Sequence, residues 1–182
     1  MTIRNLEFLF KPRSVALIGA GRSPGTVGSV LARNLVAGGF QGDVYPVNPK
    51  HRIIEETRSY PDIASLPSTP DLAVVATPAE TVPGIISELG RRGTRAAVVI
   101  TAGFGEGGSL RGEALCGAML EAARPHLLRI VGPNCFGVMV PGLDLYASFV
   151  NIRPLPGRLA FVSQSGAVLA AVMDWATHRR IG

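Results

Sequence analysis

Cysteine is almost missing from this chain: Cys116 and Cys135 are the only two in 182 residues. They are too few and too far apart to staple a small secreted domain, which leads us to expect a reducing, cytoplasmic setting. Residues 1–14 include Glu7 and no sustained apolar run, so the middle region of a signal peptide is lacking. No apolar stretch approaches the roughly 18 residues of a membrane-spanning helix, and no membrane role is expected. Histidine is scarce, and His51, His126 and His178 show no metal-ligand spacing with each other or with the cysteines, so no metal is expected. Aromatic residues reach only 6%, and no basic run exceeds two residues despite a net charge of +5. That pattern argues against a nucleic-acid surface. Sixteen of the 18 cations are Arg, an imbalance that genome base composition explains as readily as function.

What is present is apolar: 47% hydrophobic against 17% charged residues, enough for a compact core in a chain of this length. Short aliphatic runs alternate with helical patterns, the rhythm of βαβ units. Strands are expected at Ser14–Ile18, Asp43–Val47, Leu72–Ala76, Ala96–Thr101 and Leu127–Val131. Helices are expected over Thr26–Ala37, from Pro83 to Arg92, and from a Ser109 cap to Arg124. Near-continuous apolar strands imply a parallel sheet covered on both faces, and right-handed crossovers give an α/β, doubly wound, Rossmann-like domain over residues 1–150. After the proline-bearing segment Asn151–Gly157, Arg158–Val162 reads as a strand and Gly166–Arg179 as a helix. One strand and one helix cannot bury two faces, so residues 151–182 are expected to be a linker and the first βα unit of a domain that continues elsewhere.

Ligands of an open parallel sheet bind beyond the carboxyl ends of its strands, where this chain places glycines, small hydroxyls and Asn. The loop from Gly19 to Gly28 can offer bare backbone N–H groups and a helix start to phosphate. It is not the usual dinucleotide fingerprint, because Pro24 stands where GxGxxG needs glycine; glycine returns at Gly25 and Gly28. An NAD site also wants a carboxylate after the second strand, and Asn48-Pro49-Lys50-His51-Arg52 stands there instead. Cations at that place favour an additional phosphate. Coenzyme A and NADP both carry one, so the residues alone leave either open, the second as the cofactor of a Rossmann oxidoreductase. Ser163-Gln164-Ser165-Gly166 opens the last helix, where hydroxyls and the helix dipole can either receive a phosphoryl group or simply cap the helix. A serine-hydrolase elbow centred on Ser165 is excluded by Ser163, where glycine would be needed. Cys135 has no His or acidic neighbour in sequence and reads as a loop thiol, and Cys116 falls on the apolar side of its helix. No catalytic residue is assigned within the chain.

Five segments, in order, carry a family resemblance: Phe10-Lys11-Pro12-Arg13-Ser14-Val15-Ala16-Leu17-Ile18-Gly19-Ala20, Tyr45-Pro46-Val47-Asn48-Pro49, Asp71-Leu72-Ala73-Val74-Val75-Ala76-Thr77-Pro78, Gly132-Pro133-Asn134-Cys135-Phe136-Gly137 and Ser163-Gln164-Ser165-Gly166-Ala167. Together they resemble the NDP-forming acyl-CoA synthetases, which include ADP-forming acetyl-CoA synthetases and are related to the succinyl-CoA synthetase alpha subunit. The resemblance implies a CoA-binding domain followed by the start of a flavodoxin-like ligase domain. It implies that Gly19, Ser23, Gly25 and Gly28 hold CoA phosphates with Lys50 near the nucleotide, and that Asn48 and Pro49 shape that side. Thr77, Pro78 and Val82 would line the adenine or pantetheine path, Thr101, Ala102 and Gly103 the next wall, and Asn134 and Cys135 the thiol end. Where the succinyl-type subunit has Thr-Glu-Gly, this chain has Thr101-Ala102-Gly103 with Glu106 downstream, as in the acetyl-type branch. The helix opened by Ser163, Ser165 and Gly166 resembles one that faces a phosphohistidine. That histidine, and the ATP-grasp partner that binds ATP or ADP with Mg, would lie outside this chain. A homo-oligomer is compatible with the reading, as is a noncatalytic CoA-sensing module fused to an acetyltransferase.

Overall fold

The structure, a computed structural model, describes residues 3–182. After a short helix, α1 (Leu6–Phe10), come β1 (Ser14–Ile18), α2 (Val27–Val36), β2 (Asp43–Val47), the two-residue strands β3 (Ile53–Ile54) and β4 (Thr57–Arg58), and β5 (Leu72–Val75). They are followed by α3 (Val82–Arg92), β6 (Ala96–Val99), α4 (Leu110–Ala123), β7 (Arg129–Val131), β8 (Gly137–Val140), β9 (Leu145–Ser148) and α5 (Gly166–His178). Five strands form one parallel sheet in the order β2-β1-β5-β6-β7. The chain therefore reverses its winding between β1 and β5, and the crevice above the carboxyl ends of those strands is where such a sheet offers a ligand site.

Alternate side chains of each strand serve opposite faces, as the pleat requires. Ala16, Ile18, Ala73, Val75, Ala97 and Val99 pack with Val82, Ile86 and Leu89 of α3 and Met119 of α4. Val15, Leu17, Val74 and Val98 pack instead with Leu31 and Leu35 of α2, Leu9 of α1, and Leu145 and Ala147 of β9. The antiparallel β8–β9 hairpin thus does on the α2 face what a second helix does on the other. Helix starts follow side-chain chemistry: the Thr26 hydroxyl accepts the Ser29 N–H at 3.4 Å, Ser109 accepts that of Gly112 at 3.3 Å, and Ser165 that of Val168 at 3.3 Å.

Four expectations need correction. Arg158–Val162 is not a strand: it pairs with neither sheet edge, and the Arg158 and Leu159 amides bond the carbonyl of Gly182 at 3.0 and 3.3 Å. A parallel strand has no ladder without a neighbour, and none of the described strands pairs with it. The fifth strand begins at Arg129 because Leu127 adopts a left-handed φ of 53° that closes the preceding turn. The third strand stops at Val75, and the fourth at Val99, before the loops that carry Thr77 and Thr101.

Candidate functional site

All five principal strands release their chain toward one crevice, and steric demands explain its glycines. Gly19 has φ +93°, and a Cβ there would meet the Ala76 carbonyl oxygen at 2.7 Å. At Gly28 a Cβ would lie 2.2 Å from the Gly19 oxygen, so α2 starts in direct contact with the loop leaving β1. Between them, Ser23 and Gly25 are exposed, and Gly25 has φ +79° with open space around the place a Cβ would occupy. The result is a glycine-rich turn with exposed backbone against the start of a helix, a geometry suited to phosphate oxygens.

Asn48 ties that cradle to the basic turn after β2. Its Nδ2 donates to the Ala20 carbonyl at 2.6 Å, and its Oδ1 accepts the amides of Lys50 at 2.7 Å and His51 at 3.1 Å. Asn48 is therefore fully engaged as a bracket, while Pro49 and Lys50 beside it are exposed. On the next strands, the Thr101 hydroxyl donates to the Thr77 carbonyl at 2.7 Å, and the Asn134 amide donates to the Thr101 carbonyl at 2.9 Å. Those bonds join the ends of β5, β6 and β7 into one wall.

That wall bounds a cleft of about 870 Å³, which reaches from Val27 at the start of α2 to Ser163, Gln164, Gly166 and Leu169 at the start of α5. Of the expected residues it brings together Thr77, Thr101, Ala102, Asn134, Cys135, Ser163 and Gly166. Gly103 and Pro78 lie outside its lining, both exposed. Val82 is 0% exposed and sits within the α3 core cluster, behind the wall instead of on it. Ser165 caps α5, and the Ser163 hydroxyl accepts the Ser165 N–H at 3.0 Å. Cys135 donates its thiol to the Val99 carbonyl at 3.3 Å, and burial pushes its pKa above the ordinary thiol value, which backbone N–H groups offset only in part. A neutral, hydrogen-bonded thiol is a poor nucleophile.

Two features have no clear signal in the sequence pattern. The Glu106 carboxylate accepts its own backbone N–H, those of Gly103 at 2.9 Å and Phe104 at 2.6 Å, and the Asn134 side chain. Those donors hold it below the usual carboxylate range. Phe136 and Phe149, with ring centroids 5.3 Å apart, line the cleft with Leu169. Phe136 lies inside one of the five family segments, but its place against α5 depends on a hairpin that periodicity does not reveal. Among the described residues no group of three His, Cys, Asp or Glu side chains could hold a metal ion, and no helix is long and apolar enough to cross a membrane.

Residues 13–141 match a family described as a CoA binding domain. The chain is 40% identical over 182 residues to the ADP-forming acetate–CoA ligase I subunit alpha of Pyrococcus furiosus, covering 98% of this chain and 39% of that protein. It is 41% identical to the ADP-forming acetate–CoA ligase I of Archaeoglobus fulgidus, covering 97% of this chain and 25% of that one. Among solved structures, the apo form of a dinucleotide-forming acetyl-coenzyme A synthetase 1 from Candidatus Korarchaeum cryptofilum superposes with a TM-score of 0.90 at 38% identity, over 97% of this chain and 38% of that chain. The chain thus spans well under half the length of these relatives. With residues 13–141, most of this chain, matching the family and the crevice built where such a sheet holds a ligand, this chain belongs to the CoA-binding domain family.

Proposed function

We propose that this chain is the CoA-binding part of an ADP-forming acyl-CoA synthetase. The observation that carries the reading is a glycine-rich turn at α2 with a basic turn tied to it, next to a cleft that begins at Val27 and runs along the strand ends to the start of α5. The residues suit the carrier. Amides around Ser23, Gly25 and Gly28 would take the diphosphate, and Lys50 the 3′-phosphate. Thr77, Thr101, Ala102 and Gly103 would border the pantetheine arm, and Asn134 and Cys135 its thiol end. CoA supplies the thiol that accepts and returns the acyl group; this chain's own part is to hold and orient it.

In the whole protein, acyl-CoA, ADP and phosphate would be interconverted with carboxylic acid, CoA and ATP through a phosphohistidine outside this chain. The ATP-grasp partner, with ATP or ADP and Mg, belongs to the same proposal. The α5 start would then serve as the docking end for the phosphoryl-bearing segment, since backbone N–H groups and the helix dipole favour an anion there.

Titration calorimetry with CoA and dephospho-CoA tests the binding reading. A charge-assisted contact to the 3′-phosphate contributes about 1.5–3 kcal/mol, so dephospho-CoA should bind at least about tenfold more weakly. Equal affinities would remove Lys50 from the site. A saturable NADPH fluorescence change that CoA does not compete away would overturn the proposal in favour of an oxidoreductase.

A further inference from the structure

If the carrier's phosphates lie at the glycine cradle, its thiol and the acyl group on it must reach the opposite end of the cleft, beneath α5. That end is apolar. Phe136 stacks obliquely on Phe149, and a Cβ added at Gly166, the first residue of α5, would meet the Phe136 ring at 3.0 Å. The Ser148 hydroxyl donates to the Phe136 carbonyl at 2.6 Å and so holds the backbone that carries the ring. Leu169, one turn into α5, lines the same end, and none of the residues lining the cleft carries a formal charge.

We infer that Phe136 is the specificity-determining residue for the acyl group, narrowing the thiol end so that small acyl chains fit and bulkier ones do not. The inference rests on the CoA reading above. Gly166 leaves the Phe136 ring the space beside the helix start that any side chain at that position would take. Size selection of this kind is steep, because a single methylene in a closed apolar pocket is worth about 10–200-fold.

The test titrates wild type, Phe136→Ala and Phe136→Leu with CoA, butyryl-CoA and phenylacetyl-CoA. The quantity read is the affinity for each acyl-CoA divided by that for CoA, so a general loss of binding cancels. The phenylacetyl-CoA ratio should rise at least about tenfold in Phe136→Ala and by a smaller factor in Phe136→Leu. If far-UV circular dichroism shows Phe136→Ala unfolded, Phe136→Leu decides. Ratios that stay at the wild-type value in a folded variant that binds CoA would overturn the inference alone. Wild type that binds no CoA would instead overturn the reading beneath it.

Discussion

The same substitution, glycine to alanine, should change the sign of its effect between two helices of this protein. Gly117 sits mid-way along α4, exposed, with nothing within 4 Å of a Cβ placed there. Alanine at such a position contributes about 0.8–1 kcal/mol through helix propensity. In a domain of this size each kcal/mol moves Tm by about 2–4 °C, so Gly117→Ala should melt about 2–4 °C higher. Gly28 is also helical, in the first turn of α2, but its Cβ would lie 2.2 Å from the Gly19 oxygen and 3.2 Å from the Gly21 nitrogen. Both are main-chain atoms, which cannot rotate away. Overpacking costs about 1–3 kcal/mol, and an obstacle of this kind belongs near the upper end, so the propensity gain is outweighed. A net loss of about 2 kcal/mol lowers Tm by about 4–8 °C. Reversible thermal melts followed by far-UV circular dichroism measure both. Because relief requires α2 to move off the glycine cradle, Gly28→Ala should also weaken CoA binding, whereas Gly117→Ala should not. A Gly28→Ala protein that melts at or above wild type would refute the claim that α2 is seated on bare backbone.

Asn48→Ala removes three hydrogen bonds and leaves the Ala20 carbonyl without its side-chain donor. Denaturant titration should show a loss of about 1–3 kcal/mol, with weaker CoA binding because the basic turn is released from the cradle. Glu106→Gln should be less stable than wild type at neutral pH. The folded carboxylate titrates below its unfolded value, so its contribution is complete above the unfolded pKa and is lost as pH falls through the folded one. Melts of both proteins across that acidic window should therefore converge, and a gap that persists at the lowest pH would argue against the hydrogen-bonded carboxylate. Cys135→Ser should keep CoA affinity within a few-fold, and alkylation of the wild-type thiol should reach half its limiting rate above the ordinary thiol pKa, as burial requires. Loss of CoA binding on that substitution would give the sulfur a direct role.

How far the sequence alone reaches depends on whether a segment's structure is decided locally. Ser14–Ile18 and Asp43–Val47 are strands of the parallel sheet with largely aliphatic character, and both are legible to the residue because no competing element suits them. The caps Ser109 and Ser165 are legible for the same reason: a hydroxyl three residues before a free amide is a local arrangement. Arg158–Val162 misleads because an aliphatic run specifies a strand only where neighbours complete its ladder; Leu159 and Val162 are 75% and 91% exposed here. The β8–β9 hairpin misleads in the opposite direction. Pro141-Gly142 between Val138–Val140 and Leu145–Ala147 is a turn signal, yet no strand is expected there, because the βαβ rhythm draws attention to the parallel strands alone.

The consequence for the site follows from that hairpin. The glycine cradle and the strand-end hydroxyls belong to the parallel sheet and can be placed from spacing alone. The Phe136–Phe149 wall cannot, because Phe136 immediately precedes the hairpin and Phe149 immediately follows it. Pairing Gly137 with Ser148 is what returns the chain on itself and brings two rings well separated in sequence to 5.3 Å. The same pairing sets Ser148 against the Phe136 carbonyl, while Asn34 of α2 donates to the carbonyls of Ser148 and Val150, each at 2.8 Å. The end of the cleft assigned to the acyl group is thus anchored to the helix that opens on the phosphate cradle. The general chemistry of the ligand is therefore visible in local motifs, whereas the surface that would choose among its acyl groups exists only through a long-range contact.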